Sequence, residues 1–145
     1  MSGAGRMPER VLMTADTVGG VWTYSLELAR ALGSRGTGVA LATMGAPLTL
    51  SQREEASRVP GMRVFESDYR LEWMEDPWDD VQEAGEWLLG LEEALQPDII
   101  HLSGYAHGGL PWRAPTVMVA HSCVLSWWSA VRGGAAPRVW ERYRR

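Results

Sequence analysis

Residues Arg10 to Ala15 (RVLMTA) form a short apolar run closed by Asp16, Thr17 and a pair of glycines, the signature of a strand buried on both faces. From Val21 the period changes. Val21, Trp22, Leu26, Ala29 and Leu32 recur three to four residues apart, which sets them on one stripe of a helix that Gly33 is expected to cap. Val39 to Thr43 repeats the strand pattern. Pro47 to Arg58 reads as a loop and a polar helix with Ser51 as N-cap, and Met62 to Glu66 as a third strand. Residues 67 to 77 (SDYRLEWMEDP) break the rhythm. A helix then runs from Trp78 to Leu95, with Val81, Ala84, Trp87, Leu88, Leu91 and Leu95 at helical spacing and Pro97 beyond its end. Ile99 to Leu102 and Thr116 to Ala120 are two further strands, and Pro137 to Arg145 resembles the first turns of a helix. Strand and helix in alternation predict an α/β fold: a parallel sheet with helices on both faces.

Length agrees with a single domain spanning residues 1–145, since 145 residues at 46% hydrophobic and 22% charged is an ordinary globular balance. No apolar run approaches the roughly 20 residues that cross a bilayer, and Met1 to Glu9 lacks the apolar centre of a signal peptide. One cysteine, Cys123, cannot form an internal bridge. A cytoplasmic location is expected. The formal charge of -4 is unevenly spread, with 11 of the 18 acids between residues 66 and 96, which argues against a nucleic-acid surface there.

An open parallel sheet binds ligands beyond the carboxyl ends of its strands, so the segments to inspect are 16–20, 43–46, 67–69, 101–107 and 121–128. All three histidines fall in them. Gly19 and Gly20 stand between a strand and a helix N-terminus, where free N–H groups and the positive end of the helix dipole suit a phosphate. The same pair also serves a tight turn with no ligand at all. His121 closes the fifth apolar run, where its imidazole can donate to a sugar hydroxyl or simply bond a nearby carbonyl. His101 lies within a strand-like run and reads as structural, and His107 fits either role. A dinucleotide site is disfavoured, because G-x-G-x-x-G spacing is missing and the second strand ends without the acid that holds a ribose. Zinc-ligand spacing is also missing, so no metal is expected. Ser122 next to His121 is no nucleophile and base pair, because neighbouring residues on a strand face opposite ways. Trp112, Trp127 and Trp128 suit either packing or stacking on a ring. Arg132 is a candidate anion contact.

Three runs together, RVLMTADTVGGVWTYSLELARALGSRG, PDIIHLSGY and APTVMVAHSCVLSWW, resemble the N-terminal domain of family 4 glycosyltransferases of the GT-B fold. The resemblance implies the N-terminal half of a two-domain enzyme whose active site lies in the cleft between two Rossmann-like halves. It implies a retaining transfer from a nucleotide-sugar donor to a sugar or lipid-linked acceptor, without a further cofactor. By the same likeness, Gly19 and Gly20 face the donor's phosphate and the transferred sugar, and His121 hydrogen-bonds that sugar. Asp16, Tyr105 and Ser122 join them as candidate binding residues. His101 matches the first member of a His, any residue, His pattern, whose second position here is Ser103. The donor-binding half has no counterpart in these residues, so the chain alone is expected to be inactive. Trp127, Trp128 and Trp140 are expected near an exposed domain face. The reading from another class is a stand-alone α/β binding module, in which the glycines are a turn and the tryptophans dock a partner.

Overall fold

Strand β1 (Arg10–Asp16) is buried from Val11 to Ala15, as a central strand covered on both faces must be. The computed structural model describes residues 5–145. Gly19 then takes φ +90° and ψ −158°, a backbone region that side chains with a Cβ avoid, and this bend turns the chain into α1 (Gly20–Gly33). Trp22, Ser25, Leu26 and Ala29 form the buried stripe of α1. Gly33 is its last helical residue rather than its cap: the left-handed residue is Gly36, at φ +83°. Gly33 serves a close approach instead, because a Cβ there would lie 2.7 Å from the Pro60 carbonyl oxygen.

Strand β2 (Gly38–Met44) leads to α2 (Leu50–Ser57). The N-cap of α2 is Thr49, not Ser51, and it forms a reciprocal capping box with Gln52. Strand β3 (Met62–Glu66) and α3 (Trp78–Leu95) fall where the hydrophobic period puts them. Gln96, at φ +50°, ends α3 and Pro97 prevents its continuation. Strand β4 (Ile99–Leu102) is followed by a loop and by β5 (Thr116–Met118), two residues shorter than the sequence suggests. Helix α4 (Val124–Arg132) was not apparent in the sequence; Cys123 precedes it and makes no side-chain cap. A 3-10 turn (Arg138–Trp140) and the short α5 (Glu141–Arg144) complete the described chain.

All five strands are parallel, in the order β3-β2-β1-β4-β5. Two separate cores result. Val11, Met13 and Ala15 of β1 pack with Val39 and Leu41 against Trp22, Leu26 and Ala29 of α1 and Ala56 of α2. Leu12 packs on the other face with Ala42, Ile100 and Leu102 against Ala84 and Leu88 of α3. The helices thus cover both faces, and strand order reverses between β1 and β4, the point where open α/β sheets leave a crevice.

Candidate functional site

The crevice opens at the carboxyl ends of β1 and β4. Asp16 ends β1, and one of its carboxylate oxygens accepts the Val18 N–H at 2.7 Å, while the other accepts the Trp73 indole N–H at 3.2 Å. The carboxylate therefore holds the glycine turn on one side and an aromatic wall on the other. Burial pushes the Asp16 pKa above its ordinary value, against the two hydrogen bonds, which pull it down. Past Gly19, the first N–H groups of α1 receive no side-chain cap, and a Cβ built on Gly19 or Gly20 would meet nothing within 4 Å. A bare, approachable helix start is what an anionic oxygen requires.

His121 and Ser122 leave the far side of β5 exposed, and with Asp16, Gly20, Val21 and Trp73 they line one open depression. Gly20 and the imidazole therefore face the same opening, whereas Gly19 shapes the turn without lining it. A deeper pocket of about 80 Å³ adjoins it, floored by Thr14 and Ala15 and walled by Arg70, Glu72, Trp73, Ser103, His107 and Tyr143. Its walls are pinned. Gly45 donates to the Tyr69 carbonyl at 2.8 Å, Arg70 N–H to Asp80 at 2.7 Å, and Tyr105 N–H to Glu72 at 2.9 Å. His107 Nε2 lies 2.9 Å from the Val81 carbonyl, and the Trp112 indole donates to the His107 carbonyl at 2.8 Å. Burial pushes the Tyr143 hydroxyl up to about 12.

His101 lies beneath the crevice instead of lining it. It is buried on β4, opposite Met13 of β1, and points to the α1 side, where its Nε2 is 3.3 Å from the Tyr24 hydroxyl. Desolvation holds its pKa below the usual histidine value. Tyr105 stands outside the lining, with its side chain 40% exposed and only its backbone N–H engaged with the wall. Trp112 packs against the α3 core, and Trp127, 49% exposed, meets the half-buried Trp128 edge-on at 6.0 Å. Trp140 is also half-buried, and Arg132 stacks over Trp128. Tyr24, Glu72, Trp73 and Tyr143 were not singled out from the sequence, although each contributes to the crevice or to its histidines. Among the described residues, no three His, Cys, Asp or Glu side chains gather to hold a metal, and no helix is long and apolar enough to cross a membrane.

The profile described as Glycosyltransferase Family 4 matches residues 18–145, so the chain belongs to glycosyltransferase family 4. Solved structures carry the same fold. The glycotransferase of kitacinnamycin superposes with a TM-score of 0.61 at 21% identity, covering 97% of this chain and 39% of that one. A glycosyltransferase from Rickettsia africae gives 0.53 at 13% identity, covering 84% and 34%. Glycyrrhiza uralensis UGT73P12, complexed with glycyrrhetinic acid 3-O-monoglucuronide, gives 0.53 at 13% identity, covering 83% and 29%. The chain thus spans no more than 39% of the length of any of these three. No curated protein matches the sequence. The fold is the Rossmann-like half of the GT-B architecture.

Proposed function

We propose that this chain is the acceptor-side half of a retaining glycosyltransferase that uses a nucleotide-sugar. The observation that carries the reading is the shared opening: Gly20, at the uncapped start of α1, and His121 face one depression at the switch point of the sheet. As the bond from the anomeric carbon to the diphosphate breaks, negative charge grows on the leaving phosphate and positive charge on the sugar. The N–H groups of Gly20 and Val21 and the dipole of α1 suit the developing negative charge. His121 suits a hydrogen bond to a hydroxyl of the transferred sugar. The acceptor, a sugar or lipid-linked molecule, would enter beside Trp73 and Glu72. A cytoplasmic location goes with this reading.

The test is an assay of sugar transfer from UDP-, GDP- and ADP-sugars by the chain alone and joined to a family 4 donor-binding half. Expected are no turnover alone, transfer with retained anomeric configuration when joined, and a loss of about tenfold or more in the joined His121→Ala protein. Turnover by the chain alone, inverted product, or indifference to His121→Ala refutes the reading. The stand-alone binding module draws support from α4, which has no buried residue and leaves Trp127 and Val131 exposed. A joined protein without transfer, with the chain capturing a protein partner through α4, would favour that module.

A further inference from the structure

Tyr24 stands on α1 between two imidazoles. Its hydroxyl is 3.3 Å from Nε2 of His101, and its ring meets that of His121 edge-to-face, with centroids 4.6 Å apart at 70°. His121 needs such a neighbour. It follows a strand of three residues that is exposed throughout, it is itself exposed, and its ring makes no hydrogen bond among the described residues. An imidazole on so open a backbone has several staggered rotamers available. The Tyr24 ring is the aromatic face that selects among them.

His101 completes the arrangement from below. Burying an imidazole costs desolvation free energy, and its Nδ1 finds no partner, so the residue is an expensive choice for filling space. Its other nitrogen is aimed at the Tyr24 hydroxyl. The contact gives the Tyr24 ring a second fixed point besides its own backbone.

We propose that Tyr24 is a positioning residue: anchored at its hydroxyl by buried His101, it sets the orientation of the His121 ring over the crevice. The proposal rests on the reading of His121 as the group that meets the transferred sugar. It assigns His101 a role through Tyr24, without contact with the ligand, and that accords with its place beneath the lining.

Imidazole and aromatic NMR spectra of the 145-residue chain test the contact. In the wild type, the His121 ring protons should be displaced from free-histidine positions by the Tyr24 ring current. Tyr24→Phe, which keeps the ring and loses its tie, should reduce that displacement while shifting the His101 ring nitrogens, and Tyr24→Leu should return His121 to free-histidine positions, with native amide spectra in both. If Tyr24→Leu does not fold, His101→Gln replaces it and should reduce the His121 displacement. Free-histidine shifts for His121 in the wild type, or a displacement that survives the loss of the ring or its anchor, overturn the proposal. In the joined enzyme, Tyr24→Leu should lower kcat by about two- to tenfold, the equivalent of one aromatic pair, with acceptor KM little changed and activity only partly recovered in Tyr24→Phe, which keeps the ring and loses its tie. Wild-type kcat in Tyr24→Leu overturns the positioning role. Failure of the sugar-transfer reading shows separately, as transfer indifferent to His121→Ala.

Discussion

Removing the carboxylate of Glu92 should loosen the strand that carries His121. Glu92 lies near the end of α3, only 6% exposed, and a single carboxylate oxygen accepts the N–H groups of Arg113 and Ala114, both at 2.9 Å. Those two residues lead into β5, whose pairing begins with Ile100 opposite Thr116. A hydrogen bond to a charged group contributes about 1.5–3 kcal/mol. Two bonds to one oxygen are not additive, and water can reach Arg113, which is exposed, so the expected loss for Glu92→Ala is about 2–3 kcal/mol. For a domain of this size that corresponds to a fall in Tm of about 8–12 °C. Glu92→Gln keeps a neutral acceptor and should lose about 1 kcal/mol. Urea unfolding followed by circular dichroism measures both, and amide exchange should show the β5 protons opening first in Glu92→Ala. A loss below about 0.5 kcal/mol in Glu92→Ala, or equal losses in the two variants, would refute the reasoning from acceptors.

Two further outcomes follow from groups near the crevice. The unfolded His101 imidazole takes up a proton near 6.5 while the buried one resists until lower pH, so the unfolded state binds more protons in that window and stability should fall as pH drops below 6.5. The stability of His101→Gln measured across the same range should lack that part of the slope, and an unchanged slope would assign the effect elsewhere. Gly19→Ala meets no atom within 4 Å but must hold φ +90° and ψ −158°, so it should cost about 1–3 kcal/mol through the backbone alone, checked by the same urea titration; wild-type stability would contradict the strain argument.

The parallel sheet was legible because strands buried on both faces must be continuous apolar runs, and β3, α3 and β4 fall at the residues the pattern names. Asp16, Gly20, His121 and Ser122 were legible for a topological reason: in such a sheet, strand carboxyl ends converge on one crevice whatever the side chains are. Tyr24 was hidden. On an amphipathic helix it reads as one more residue off the apolar stripe, and its closeness to His101 and His121 depends on strands paired from distant parts of the chain. Trp73 and Glu72 were masked by their neighbours, since residues 67 to 77 mix charges and aromatics without a period. The loop is pinned by specific bonds from Gly45, Asp80 and Tyr105 that no periodicity encodes. Helix α4 escaped because no capping side chain marks its start, although Val124, Trp127, Trp128 and Val131 do recur at helical spacing.

The division into two cores seats the two banks of the crevice on opposite faces of the sheet, with the Asp16 carboxylate as a tie between them. The glycine turn and Tyr24 ride on α1 and its face of the sheet, whereas Leu71, Trp112 and Ala114, which carry the opposite bank, are seated on the α3 face. A substitution under α3 that shifts the Trp73 bank should therefore be felt at the glycine turn through that one carboxylate.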